Sequence, residues 1–303
     1  MFVIPDDFAR EIVVMHAERG REWLGRLPAI LTRCEQRWGL TVGAPFANLS
    51  FNYVAPAVRT DGTAVIVKVY AGDEFPLQVE ALRLFDGHGM VQFLECEVED
   101  AVLLMECLQP GTTLLGVEDD EQATAVAASV MRQVWRPVSA GHPFPTVFDW
   151  GRGFGRLRKH FGGGSGPFPP RLLEEAETLF AELSASMAEP MLLHGDLHHD
   201  NILMARRQPW LAIDPKGLVG EPAYETGALL RNALARVFAA AQPRRVLARR
   251  VDQLAEELEL DRVRIRNWGL AQGVLSVWWG IEDSGYVSDE TMAFSALMAE
   301  IKV

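Results

Sequence analysis

What this chain lacks narrows its function before any motif is read. Its longest apolar run, GLAQGVLSVWWGI near the C-terminus, has about 13 residues and contains Gln272, against roughly 20 for a membrane-spanning helix. The opening MFVIPDDFAREIVV has neither a basic leader nor a long apolar core, so no secretory signal is expected. Cysteine is scarce and odd in number, Cys34, Cys96 and Cys107, with no paired spacing, which suits a reducing compartment. These absences predict a soluble, cytoplasmic protein with no membrane partner. Positive charge is in deficit: 29 Lys and Arg face 41 Asp and Glu, a net charge of −12. That disfavours nucleic acid, which needs Lys/Arg patches against phosphate. It suits a cationic small molecule, although solubility alone would also account for it. No G-x-x-x-x-G-K-[S/T] phosphate loop and no internal repeat occurs.

The 303 residues are 49% apolar and 23% charged, an ordinary globular composition with room for two lobes. Residues 6–38 read as helix, starting at Asp6 or Asp7 and broken near Gly20. VAPAVR and TAVIVKVY flank Asp61-Gly62 and predict two strands joined by a hairpin turn. A helix over GDEFPLQVEALRLFDGHG follows, then strands in MVQFLECEV and AVLLMECL. Beyond Pro110-Gly111 the pattern turns helical, over 118–138, 171–188, 222–241, 244–259 and 262–281. The expected fold class is therefore α+β, with N-terminal helices over 1–40, a small antiparallel β-sheet lobe over 41–108 and a larger, mainly helical lobe over 109–303. GRGFGR at 151–156 and GGGSG at 162–166 sit in mid-chain, away from any first strand, and read as flexible turns.

One segment stands apart. MLLHGDLHHDNILM places His194, Asp196, His198, His199, Asp200 and Asn201 between two apolar runs. A metal-dependent hydrolase is one reading, since imidazole and carboxylate suit zinc or manganese. Yet the chain has only seven histidines and none after His199. The flanks also predict short strands bracketing a loop. WLAIDPKG then puts Asp214 at the end of an apolar strand, 18 residues beyond Asp196, where Pro215 prevents continuation. A hairpin of that length returns Asp214 beside Asn201. Two carboxylates and an amide oxygen at one mouth are hard-oxygen ligands suited to Mg²⁺. Phosphoryl transfer needs such a set: one carboxylate to orient and deprotonate a hydroxyl, with an Asn and a second carboxylate for the metal. Lys68, between apolar neighbours in the third strand, is costly to bury unless paired. Glu80, twelve residues on in the following helix, is its expected partner. Strand Lys, helix Glu, loop Asp and Asn, strand-end Asp is the order found in kinases.

LHGDLHHDNILM and AIDPKGLVGEPAYE, with PFANLSFNYVAPAVRTDGTAVIVKV and GLAQGVLSVWW, resemble the aminoglycoside phosphotransferase family. The likeness is to its streptomycin 6-phosphotransferase and hydroxyurea-resistance kinase branch, and it extends over nearly the whole chain. The resemblance implies a two-lobed protein-kinase-like fold using ATP and Mg²⁺, with the 41–108 lobe binding nucleotide and the 109–303 lobe supplying catalytic and substrate residues. Asp196 would accept the hydroxyl proton, Asn201 and Asp214 would bind Mg²⁺, and Lys68 with Glu80 would anchor the triphosphate. Pro215 stands where protein kinases have Phe, and no activation loop or Ala-Pro-Glu is present. The phosphate-covering segment NLSFNY lacks glycine, so its work falls to Ser50 and backbone amides. Met105, Glu106 and Leu108 close the fifth strand, where adenine would be held. Candidates for a cationic acceptor are His198, His199, Glu221, Glu225, Trp278, Trp279, Glu282 and Asp283, because acids beside tryptophans can hold guanidinium groups. Streptomycin at its 6-hydroxyl is the expected substrate. Hydroxyurea, another small alcohol, or an idle kinase fold that only binds a ligand are the alternatives. Oligomeric state stays open.

Overall fold

The computed structural model describes residues 2–187 and 189–303. Its contacts divide the chain into two units, Met1–Gly111 and Thr112–Val303.

In the first unit, α1 (Asp6–Trp38) precedes β1 (Leu40–Val42), β2 (Asn52–Arg59) and β3 (Ala64–Tyr70), followed by α2 (Phe75–Phe85), β4 (Phe93–Glu97) and β5 (Val102–Glu106). The strands form one antiparallel sheet in the order β1-β2-β3-β5-β4. The β2–β3 hairpin closes through Gly62 at φ 88°, while Asp61 Oδ1 accepts from Thr63 N at 2.8 Å. Side chains alternate between sheet faces. Tyr53, Ala55, Ala57, Val65, Val67 and Val69 all point one way, into a core shared with Phe8, Ile12, Leu27, Ile30, Leu31 and Cys34 of α1. Helix α1 thus contributes to the same core as the sheet. Lys68 pairs with Val54 and Leu103 and so projects from the opposite face. The break in α1 comes at Ala17 (φ 50°, ψ −124°), not at Gly20. Gly20 instead packs closely, since a Cβ there would meet the Ile12 carbonyl oxygen at 2.6 Å.

The second unit contains α3 (Asp120–Val134), β6 (Arg136–Pro137), α4 (Val147–His160), α5 (Pro170–Ala185), β7 (Met191–Leu193), β8 (Ile202–Met204), β9 (Trp210–Ala212) and β10 (Leu218–Gly220). After these come α6 (Pro222–Leu230), α7 (Leu234–Ala239), α8 (Pro243–Leu258), α9 (Arg262–Ser284) and α10 (Asp289–Glu300). Helix α9 is buried on nearly every side from Ile265 to Trp278, as an axial helix must be when its apolar residues encircle it. Helices α5, α6 and α10 pack around it. Two short antiparallel ladders, β10-β7-β6 and β8-β9, lie beside this bundle. Among the described residues no helix is long and apolar enough to cross a membrane.

Two expectations are corrected here. The predicted helix over 222–241 is two helices, parted where Ala233 takes φ 55°. GRGFGR is no turn but the middle of α4, started by a capping box between Thr146 and Asp149. Two of its glycines admit neighbours: a Cβ on Gly151 would lie 2.2 Å from the Phe180 ring, and on Gly153 3.0 Å from Leu275. At these two, close packing offsets the roughly 1 kcal/mol a glycine costs a helix.

Candidate active site

Strands β7 and β8 bracket residues 194–201, and the loop between them is held from beneath by one carboxylate. Glu225 of α6 is almost wholly buried. Its Oε2 accepts from His194 N at 2.6 Å and its Oε1 from Gly195 N at 3.0 Å. Burial pushes its carboxyl up to about 7, against the pull of these N–H donors. His194, also buried, supplies the second brace. Its Nδ1 accepts from Asp196 N at 3.2 Å, so Nε2 carries the proton and donates to the Ile213 carbonyl at 2.7 Å. Gly195 sits at φ 87°, and a Cβ there would fall 3.1 to 3.3 Å from Leu218, Lys216 and Trp150. Only glycine fits.

His194 makes the loop acid-sensitive. Burial drives its pKa down to about 4 from an ordinary 6.5. The unfolded chain therefore takes a proton below pH 6.5 that the folded chain refuses until about pH 4, and stability falls across that window. A shift of this size corresponds to about 3 kcal/mol. Glu225, whose shift has the opposite effect on stability, masks part of this in the wild type. The expected result is a urea-unfolding difference between wild type and His194→Gln that shrinks as pH falls from 6.5 to 4.5. A difference independent of pH would contradict it.

Asp196 follows on the loop. Its Oδ1 accepts from Arg231 Nη2 at 3.0 Å, and His198 Nε2 lies 3.8 Å from its Oδ2. Burial alone would raise its pKa, but Arg231, then His198 and Lys216, outweigh that and hold it below the usual carboxylate value. Arg231, at the end of α6 and 35 residues downstream, carries no sequence signal linking it to Asp196. Asn201 turns its Nδ2 onto the Asp196 carbonyl at 2.9 Å, which engages the amide nitrogen and leaves the oxygen to a ligand. The β8–β9 ladder then returns the chain: Ile213 N donates to Asn201 O at 2.9 Å, bringing Asp214 alongside. Asp214 sits at φ 58°, a strained backbone of the kind that clusters at functional sites. An amide oxygen and a carboxylate placed together are the hard donors that Mg²⁺ takes.

The histidines do not form a hydrolase cluster. His194 is committed to the backbone. His199 points into the bundle towards Asp120 and Arg250, where burial, with Arg250 adding to it, pushes its pKa down to about 3. Among the described residues no three His, Cys, Asp or Glu side chains gather to hold a metal.

In the first unit, Lys68 Nζ donates to Gln78 Oε1 at 2.9 Å and lies 4.7 Å from the Tyr70 ring centroid. The expected partner Glu80 faces elsewhere and pairs with Arg83 at 2.7 Å. The reason is periodicity. Phe75, Gln78, Val79, Leu82 and Phe85 form the buried stripe of α2, and Glu80 falls off it. Ser50 is exposed between β1 and β2. Met105 and Leu108 are buried, and Glu106 Oε2 accepts from Gln92 N at 3.2 Å.

Several acceptor candidates have other occupations. Glu225 holds the loop. Glu221 is buried and accepts from Arg264 Nη2 at 2.7 Å and from the Trp268 indole. His199 and Trp278 are buried, and Glu282 is bound by Arg156 at 2.5 and 2.9 Å. His198, Trp279 and Asp283 keep exposed surface.

This geometry can be set beside known proteins. A streptomycin 6-kinase of Streptomyces griseus is 34% identical over 285 residues, covering 92% of this chain and 91% of the relative. A hydroxyurea phosphotransferase of Kitasatospora aureofaciens is 35% identical over 273 residues, 87% of this chain and 76% of the relative. The choline kinase LicA of Streptococcus pneumoniae superposes with a TM-score of 0.60 over 91% of this chain and 98% of its own, at 13% identity; that likeness concerns the fold alone. Residues 37–284 match the family model described as aminoglycoside/hydroxyurea antibiotic resistance kinase. That match spans both units, from the end of α1 to the end of α9, and the chain belongs to this kinase family.

Proposed function

We propose that this kinase transfers the γ-phosphoryl group of ATP to streptomycin, at the 6-hydroxyl, and so inactivates the antibiotic. The near end-to-end match to a streptomycin 6-kinase carries this reading. The −12 net charge also favours a cationic acceptor over nucleic acid. Three unpaired cysteines and a need for ATP fit the cytoplasm.

Asp196 is the catalytic carboxylate in this reading. Arg231 fixes Oδ1, leaving Oδ2 to orient the acceptor hydroxyl and take its proton as the oxygen bonds to the γ-phosphorus and the bond to the ADP oxygen breaks. Asn201 and Asp214 would hold Mg²⁺, which when bound neutralises charge on the phosphates. Lys68, positioned by Gln78, would grip the nucleotide phosphates, Ser50 would lie over them, and Met105, Glu106 and Leu108 would line the adenine pocket. Asp214→Asn tests the metal role, since Asn tolerates the left-handed backbone. It should raise the Kd for Mg-ATP about tenfold or more, with Mg-free ATP binding little changed. Equal affinities for Mg-ATP in mutant and wild type would remove Asp214 from the metal site.

The acceptor is settled by ADP release from Mg-ATP with streptomycin, other aminoglycosides or hydroxyurea. Streptomycin-dependent release with product phosphorylated at the 6-hydroxyl is the expected outcome. The match to a hydroxyurea phosphotransferase supports a second reading, and release with hydroxyurea alone would select it.

A further inference from the structure

Trp150 carries no motif, yet it lies against the loop bearing Asp196. Its Cη2 is 3.3 Å from the position a Cβ on Gly195 would occupy. Its ring meets Trp279 of α9 edge to face at 5.4 Å and 78°, and Tyr224 at 6.2 Å. Tyr224 is buried, whereas Trp150 and Trp279 both keep exposed surface. The Trp278-Trp279 doublet therefore divides its work. Trp278 is buried and meets the His160 and Phe161 rings, and Trp279 turns to the side where Trp150 stands.

Asp283 follows Trp279 by four residues, one turn along the same face of α9. It is exposed, and none of the ion pairs formed among the described residues involves it. Both carboxylate oxygens of Glu282 beside it are taken by the Nε–Nη2 edge of the Arg156 guanidinium. Partial burial, then the Glu282 charge, push the Asp283 carboxyl up. Two indoles thus run from the loop to α9, and an exposed carboxylate stands one turn further along that helix.

We propose that Trp150, Trp279 and Asp283 form a subsite for a planar cation, a guanidinium group of the acceptor. Guanidinium is weakly hydrated on its faces, so it stacks on an indole at small desolvation cost, and its in-plane N–H groups are left for a carboxylate. A compact, strongly hydrated ammonium gains less from the same surfaces. This deepens and rests on the acceptor reading above, because streptomycin carries two guanidinium groups on the ring whose 6-hydroxyl would be phosphorylated.

The test is calorimetric titration of the full chain, with a non-hydrolysable ATP analogue and Mg²⁺ present. The ligands are streptomycin, streptidine (its free diguanidino ring) and kanamycin, which has amines only. Trp150→Ala, Trp279→Ala and Asp283→Asn are each expected to raise the Kd for streptomycin and streptidine about tenfold, leaving any kanamycin affinity unmoved. Nucleotide affinity reports folding, and Asp283→Asn alters an exposed side chain that no core depends on. If streptomycin is turned over and all three variants bind it as tightly as wild type, the subsite is refuted while the acceptor reading stands. If the variants lose streptidine but streptomycin is not turned over, the subsite stands and the acceptor reading falls. Failure of wild type to bind either ligand overturns both.

Discussion

Asp196→Asn is expected to lower kcat by about 10²–10⁴-fold, the span associated with loss of a positioned general base, while nucleotide still binds. The substitution is nearly isosteric. Its Oδ1 can still accept from Arg231 and its backbone N–H can still donate to His194, so the loop has no reason to move. What disappears is the negative charge and the capacity to take a proton from the acceptor hydroxyl. The deficit should therefore lie in kcat, with the KM for ATP retained. Single-turnover kinetics with streptomycin, beside equilibrium binding of ATP, separates the two. Loss of nucleotide binding would place Asp196 among the nucleotide contacts, and undiminished turnover would remove it from the chemistry.

Glu225→Ala should be the most destabilising substitution near the site, by about 3–5 kcal/mol. It strips the acceptor from two buried N–H groups, of His194 and Gly195, at roughly 1–3 kcal/mol each, and leaves a cavity beneath the loop. For a unit of this size that is a fall in Tm on the order of 10 °C. Activity should fall with it, since the backbone that carries Asp196 loses its anchor. Glu225→Gln separates the effects: it refills the space but turns an N–H₂ towards one of the two donors, so its stability should lie between. Thermal melting of the three proteins checks this ordering. An alanine variant as stable as wild type would show that the loop does not depend on Glu225.

The contrast between these residues shows what could be read from the chain and what could not. The placement of Asp196, Asn201 and Asp214 is legible because it is local: a short polar loop between apolar strands, and a hairpin whose length returns one carboxylate to an amide. The β2–β3 hairpin was legible for the same reason, through Asp61-Gly62. Lys68 needs a partner, as its burial implies, but the partner is Gln78 and not Glu80, because the helical stripe of α2 that faces inward carries Gln78. The contacts of Arg231 with Asp196 and of Trp150 with the loop follow from tertiary packing across distances in sequence that no local pattern spans. The acidity of Glu225 and Glu221 is plain in the sequence, but only the folded chain shows that both face inward, one towards backbone N–H groups and one towards Arg264. Helix α4 was hidden by its own glycines, which look like flexibility in one dimension and serve as clearance in three.

Helix α1 has a consequence for how this protein can be dissected. The stretch recognisable by family likeness begins at residue 37, just where α1 ends, yet the apolar side of the sheet is covered by Phe8, Ile12, Leu27, Ile30 and Leu31. A recombinant fragment cut at the edge of the recognisable region would expose Tyr53, Val65, Val67 and Val69 together, a continuous sticky surface on a β-sheet. Such a fragment should precipitate on expression. Libraries that trim homologues to their aligned core would discard this kinase as insoluble before any antibiotic was tested.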